Sequence, residues 1–378
     1  MAIDRIYINN FKSIRELNAL EIRPLNVLIG ANGVGKSNFI AFFKLLNNIV
    51  EGKLPSYIAA NGYADKILHF GKKKSKELSG GIIFEKKEFD TFNRYNFTLK
   101  PDTINGLYFE KEEAGGFDTS IIDSNDIGHY FSLNSTGNKN SGLKEFSLYY
   151  GYFKDYFEQF RVFHFHDTSS SAPLKQPSKL RDNAFLREDG SNLAAFLYWI
   201  SQKHPSNFKL IEFAIRSVAP FFDKFNLQPD NLNSELIFLS WLEKNSDDYF
   251  DANNLSDGSI RFIALTTVLL QPNPPKTIII DEPELGLHPS AINKLASMIK
   301  MASAKSQIII STQSVNLVDQ FEAEDIIVVD RNDGQSTFKR LNKNELDNWI
   351  NDYNDDNNYN MGELWSKNII GGMPYPIA

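Results

Sequence analysis

The feature that most restricts this chain lies near its start. Gly30-Ala31-Asn32-Gly33-Val34-Gly35-Lys36-Ser37 fits the pattern G-x-x-x-x-G-K-[ST]. It sits between an apolar run, Leu25 to Ile29, and a segment from Ser37 to Val50 with Phe39, Ile40, Phe43, Leu46 and Ile49 at helical spacing. Strand, glycine loop and helix in that order make a phosphate cradle. Glycines let the backbone turn tightly enough to aim several N–H groups inward, and the following helix directs its positive end at the same charges. Gly30, Asn32, Gly33, Gly35, Lys36, Ser37 and Asn38 are therefore expected to bind nucleotide. Lys36 would reach the β- and γ-phosphates, and the Ser37 hydroxyl would ligate Mg²⁺.

A second constellation lies two thirds of the way along. Thr277 to Ile280 is an apolar strand that ends in Asp281-Glu282-Pro283. Such a pair suits a Mg²⁺ shell held by Asp281 and a water polarised by Glu282 for attack on the γ-phosphate. The plainer alternative, solvated acids at a strand end, loses weight beside the glycine loop. Leu255-Ser256-Asp257-Gly258-Ser259 precedes a helix that runs to Leu270. Alone, Ser256 reads as an ordinary N-cap; its position shortly before the acid pair suggests more.

The remaining segments supply a frame. Arg5 to Asn9 alternates as a strand, and Gly80 to Phe117 reads as antiparallel strands punctuated by turns. Residues 118–145, rich in Asn, Ser and Gly, read as a loop or insertion. Asn192 to Ile200 and Phe208 to Val218 read as helices with Pro205 between them. The last third alternates: helix Ser259 to Leu270, strand Thr277 to Ile280, helix Pro289 to Lys300, strands Gln307 to Ile310 and Asp325 to Val329. That rhythm implies a largely parallel sheet with helices on both faces. No heptad pattern is sustained, so no long coiled coil is expected.

Composition excludes several classes. Cysteine is absent, which removes disulfides, thiolate zinc sites and cysteine nucleophiles and fits a reducing cytosol. A net charge of -7 excludes a uniformly basic nucleic-acid binder, though not a local basic surface. No apolar run has the roughly 18 residues of a membrane span, and the start lacks a signal-peptide core, so a cytoplasmic protein without membrane contact is expected. The 30 phenylalanines read as core filling.

Together, Gly30 to Asn38, Leu255-Ser256-Asp257-Gly258, Ile280-Asp281-Glu282-Pro283 and Glu284-Leu285-Gly286-Leu287-His288-Pro289 resemble the ABC ATPases of the SMC and RecF group. Within it, the chain is similar to the stand-alone RecF-like ATPases of bacterial genomes, often labelled AAA ATPases, such as the OLD-like and Septu-like anti-phage proteins. Ile8-Asn9-Asn10-Phe11-Lys12-Ser13 resembles that group's first strand and turn, and Met361-Gly362-Glu363-Leu364-Trp365 with Gly371-Gly372 its C-terminal segment. Residues 52–185 carry little of the likeness. The resemblance implies a P-loop NTPase of ABC type: a mixed central sheet with helices on both faces, an antiparallel β lobe and a helical insertion. One ATPase domain of two lobes would then span the chain, with an N-terminal lobe over about 1–117, the insertion over 118–250 and a C-terminal lobe over 251–378.

The resemblance also implies a homodimer, or a higher even-numbered oligomer, closed head to tail on ATP. Ser256 and Gly258 of one chain would complete the site formed by Lys36 and Ser37 of the other, with Glu284 to Pro289 as the loop between the two sites. Lys12 and Arg15 are weaker candidates for touching nucleotide. Where most relatives place a histidine, this chain has Gln313, in Ser311-Thr312-Gln313-Ser314. An amide can donate a hydrogen bond but cannot shuttle a proton, so slow turnover is expected. His69 and the His164/His166 pair read as structural or surface residues rather than catalytic ones. Lys72-Lys73-Lys74-Ser75-Lys76 reads as a solvated loop or a contact to the phosphate backbone of DNA or RNA, and Asp347 to Asn360 as a polar surface segment.

Three functions fit. In the first, the ATPase senses DNA or an invader and holds or licenses an effector, a nuclease or toxin, in anti-phage defence. OLD-type relatives fuse a nuclease to their C-terminus; the segment after the last ATPase strands is too short for one, so any effector is expected to be a separate subunit. The second is a DNA-binding ATPase of repair or recombination, and the third an ATP-binding scaffold without significant hydrolysis.

Overall fold

The computed structural model describes residues 2–85, 91–118, 129–134, 136–145, 156–157, 159–246, 248–344, 346 and 359–373. They belong to two compact units, Met1–Phe160 with Glu322–Ala378, and Arg161–Phe321. The fold is mixed α/β, with parallel strands, helices and a separate antiparallel sheet.

In the first unit, the wholly buried strand Leu25–Ile29 pairs in parallel with Ile326–Asn332. That strand pairs antiparallel with Gln335–Arg340. The glycine loop thus leaves the end of a strand held in register by a segment some 300 residues further on. It leads into the helix Lys36–Val50. A second sheet is antiparallel throughout, in the order Ile14–Glu21, Ile3–Phe11, Leu78–Phe84, Thr91–Pro101, Leu107–Asp118, His129–Ser132.

A cluster of phenylalanines fills the space between this sheet and the loop's helix, while others, such as Phe185 and Phe213, are exposed elsewhere. Phe42 meets Phe11 at 5.8 Å and Phe97 at 6.2 Å, and Phe43 meets Phe39 at 5.5 Å and Phe160 at 6.1 Å. Burial of each such ring contributes about 1.5–3 kcal/mol, which ties the position of the loop to the aromatic core behind it.

In the second unit, Thr277–Asp281 pairs in parallel with Gln307–Thr312, Asp281 opposite Ser311. Every residue of the helix Asp257–Leu270 from Ile260 onward is buried. The helices Leu193–Lys203, Pro205–Val218 and Pro289–Ser303 complete the frame.

The structure differs from the sequence reading or adds to it at three places. Pro205 does not separate two helices but opens the second, three residues before the expected start. A proline is tolerated in a first turn, where its missing N–H has no intrahelical role. The described part of 118–145 is not all loop: it contains the strand His129–Ser132 and a 3₁₀ turn at Gly142–Glu145, while 119–128 and 135 lie outside the described residues. The third is a small sheet of Phe222–Phe225, Trp241–Glu243 and Tyr249–Phe250, whose strands are too short for periodicity to reveal. Of the expected polar segment at 347–360, residues 347–358 lie outside the described residues. Among the described residues, no helix is long and apolar enough to cross a membrane.

Candidate nucleotide site

The phosphate loop is built by backbone. Gly30, Gly33 and Gly35 all have positive φ, at 152°, 79° and 121°. At Gly35 a Cβ would also lie 2.1 Å from the Ser336 hydroxyl and 2.7 Å from that of Ser13, so only glycine fits. The helix that follows starts after Gly35 without a side-chain cap, and the Asn38 and Phe39 amides both donate to Gly35 O at 3.0 Å. Lys36 is buried, and its ammonium donates to the carbonyl oxygens of Gly30 and, at 3.1 Å, Ala31. Asn32 and Ser37 are exposed.

Distant segments brace the loop. The Ser336 hydroxyl donates to Val34 O and accepts from the Ser13 hydroxyl at 2.6 Å, while Asn38 Nδ2 donates to Ser13 Oγ at 2.7 Å. Arg331 donates to Gly33 O at 3.2 Å. The Ala31 amide donates to Gly372 O at 2.7 Å, and the Gly372 amide to Asp330 Oδ1 at 2.9 Å. Ser13, Arg331 and Ser336 were not legible as partners of the loop, because nothing in a lone serine or arginine marks contact over hundreds of residues.

Beside the loop, a cleft of about 880 Å³ is lined by Lys12, Gly33, Asn38, Phe70 and Arg331, among others. Phe70 is 61% exposed there. Burial, with the Lys44 charge adding to it, lowers the pKa of Lys12. His69 is structural: its Nδ1 bonds Lys12 O at 2.7 Å.

In the second unit, the strand-end acids meet the end of the neighbouring strand. Asp281 Oδ1 accepts from the Ser311 hydroxyl, and the Glu282 amide donates to Ser311 O at 2.9 Å. Glu282 has φ 46°, a left-handed turn that costs a non-glycine residue about 1 kcal/mol or more and redirects its side chain. Its carboxylate accepts from the Gln313 side-chain amide. Asp281, Glu282 and Gln313 are thus brought together. Glu284 joins them: its Oε1 accepts from Thr312 Oγ1 at 2.6 Å and from the Gln313 amide at 3.0 Å. Its stem is partly exposed but its carboxyl is buried, and burial, reinforced by the Glu282 charge, raises its pKa.

Ser256 caps the helix Asp257–Leu270, its hydroxyl accepting from the Ser259 amide at 3.2 Å, and it stays exposed. A Cβ on Gly258 would meet Gly286 O at 2.5 Å, so glycine lets the loop after the acids press against this helix tip. Arg261 holds the two together. It is buried and donates to Phe165 O at 2.7 Å, His166 O at 2.8 Å and Leu285 O at 2.8 Å. His166 in turn bonds the Asp281 carbonyl at 2.9 Å. Sequence reading missed Arg261, although a cation inside the run Ile260-Arg261-Phe262-Ile263 was a signal that it had buried partners.

Magnesium favours hard oxygen donors and takes few from protein when phosphates supply the rest. Ser37 in the first unit and Asp281 in the second each carry such a donor, and the described residues contain no group of three or more acidic, histidine or cysteine side chains placed to hold a metal ion.

The glycine loop and the strand-end acids, set on this α/β frame, define a P-loop ATPase. The chain belongs to the AAA family described as "AAA domain, putative AbiEii toxin, Type IV TA system", whose model matches residues 25–319. Among solved structures it is similar to an SMC head bound to the C-winged-helix domain of ScpA, with TM-score 0.63 and 14% identity over 92% of this chain and 100% of that one. It is also similar to an SMC head with an extended coiled coil, bound to the C-terminal domain of ScpA, from Pyrococcus furiosus; the TM-score is 0.57 at 12% identity, over 94% and 100% of the two chains. These identities speak for the fold. No curated protein matches the chain by sequence. The expected likeness thus holds for the AAA family, and that to SMC heads for the fold.

Proposed function

We propose that this ATPase closes head to tail on ATP as a homodimer in the cytoplasm, and that the cycle holds or licenses a separate effector, a nuclease or toxin, in anti-phage defence. The observation that carries the dimer is the exposed Ser256 tip, against which Gly258 lets the loop after the acids pack and which Arg261 ties to that loop. A capped but exposed helix N-terminus suits a γ-phosphate presented by a second copy. The family description, with its toxin of a type IV system, supports the defence reading, and the SMC heads seen with ScpA support a protein partner.

In this reading the triphosphate lies on Gly30 to Ser37 with Asn38 beside it, and the nucleoside end enters the cleft of Lys12, Phe70 and Arg331. Glu282 takes the proton of the attacking water, and Gln313 holds that carboxylate in place. Mg²⁺, held by Ser37 and Asp281, would neutralise charge on the β- and γ-phosphates. Gln313 cannot shuttle a proton, so turnover is slow; Gln313→His is expected to hydrolyse ATP faster, and an unchanged rate would count against that role.

Steady-state phosphate release by the parent and by Glu282→Gln tests the assignment. A loss of about 100-fold or more is expected, and equal rates would leave an ATP-binding scaffold instead. A second reading, DNA binding, rests on the exposed Lys73, Lys74 and Lys76. It requires DNA affinity that falls steeply with salt and disappears when these lysines are removed.

A further inference from the structure

Glu284 stands apart from the other acids of its loop. Its Oε1 takes two hydrogen bonds, from the Thr312 hydroxyl and the Gln313 main-chain amide, while its Oε2 is buried with no partner among the described residues. Both donors are neutral. A buried carboxyl oxygen without a donor costs free energy, so the site is not arranged for stability alone. What the two bonds secure is the end of the strand Gln307–Thr312. Thr312 Oγ1, while donating to Glu284, accepts from the Ser314 amide at 3.0 Å. The Ser311 carbonyl is already bound by the Glu282 amide. From Ser311 to Ser314 every residue is thereby held by, or through, the loop that carries the acids. Gln313 has no branch at Cβ and three soft torsions, so its amide can meet Glu282 reliably only if its main chain is fixed.

We infer that Glu284 is a positioning residue for ATP hydrolysis, clamping Thr312 and the Gln313 main chain so that the Gln313 side-chain amide faces Glu282. This rests on the assignment of Glu282 as the base. In that reading no nucleotide contact is assigned to Glu284, so it is expected to act on the chemical step and not on ATP binding.

Steady-state phosphate release by full-length variants tests the inference. Glu284→Ala is expected to lower kcat about 10-fold or more while KM for ATP stays within about two-fold. Glu284→Gln, whose carbonyl oxygen can keep both bonds, should stay within about three-fold of the parent. In a double-mutant cycle, Glu284→Ala should add little to Gln313→Ala, because both remove the same contact. Should Glu284→Ala fail to fold, Thr312→Val removes one of the two donors and leaves the acid, and a partial loss of kcat is expected. The inference is overturned if Glu284→Gln is as damaged as Glu284→Ala, if the two penalties multiply, or if only KM changes. Lys36→Ala separates this from the underlying reading. If it does not abolish phosphate release, the ATPase assignment fails; if it does while the Glu284 variants run at the parental rate, only the positioning role fails.

Discussion

Glu284 and Gly258 show how far single residues constrain this molecule. The carboxyl of Glu284 is raised in pKa first by burial and then by the charge of Glu282, from an ordinary value of 4.5. A raised acid is no burden at low pH, where folded and unfolded chains are both protonated. As pH climbs through the folded pKa, the unfolded chain gains more from ionisation and the fold loses stability. Glu284→Gln cannot ionise. Its melting temperature relative to the parent is therefore expected to be higher at pH 8 than at pH 4, with the gap closing as pH falls; a gap independent of pH would contradict this. Glycines at 30, 33, 35 and 258, with Lys36 and the acid pair, were legible in sequence because backbone conformation or phosphate chemistry ties residue type to position. Glu284 was not legible beyond its place in a loop, since a third acid after Asp-Glu-Pro reads the same whether solvated or buried. Arg261 and Ser336 were missed because their partners are main-chain atoms far away in sequence.

Among elements, the antiparallel sheet depends on one side chain more than its pattern suggests. Glu112 is wholly buried on the strand Leu107–Asp118. It accepts from Tyr95 Oη at 2.7 Å, the Ser141 hydroxyl, Asn134 Nδ2 at 3.1 Å and the Gly142 amide at 2.8 Å. The acid thus moors the segment after His129–Ser132 to the sheet. Glu112→Ala removes the acceptor of all four donors and is expected to cost about 2–4 kcal/mol in urea unfolding, whereas Glu112→Gln costs less. A loss below about 0.5 kcal/mol would show that the segment is held by other means. Alternation along Arg94 to Leu99 made the strands legible. The mooring was not, because a glutamate between Lys111 and Glu113 looks like one more surface charge. The helix Lys36–Val50 was legible from its apolar spacing, and its bed of phenylalanines from their number alone.

For the whole molecule, the residues to which the proposed function assigns roles fall in both units. The phosphate cradle belongs to Met1–Phe160 with Glu322–Ala378, while the acids, the Gln313 segment and the Ser256 tip belong to Arg161–Phe321. The class of fold was legible from the strand–helix rhythm; the cut between the units was not, because it depends on contacts between segments far apart in sequence. The central claim is that ATP joins two copies through the Ser256 tip. The most direct test is the solution mass of Glu282→Gln with ATP and Mg²⁺, by light scattering, alongside the same protein carrying Ser256→Ala. About twice the chain mass of 43.0 kDa is expected with ATP, returning to a single chain without nucleotide or with Ser256→Ala. A single chain under every condition, or a dimer indifferent both to ATP and to the Ser256 hydroxyl, would contradict the account.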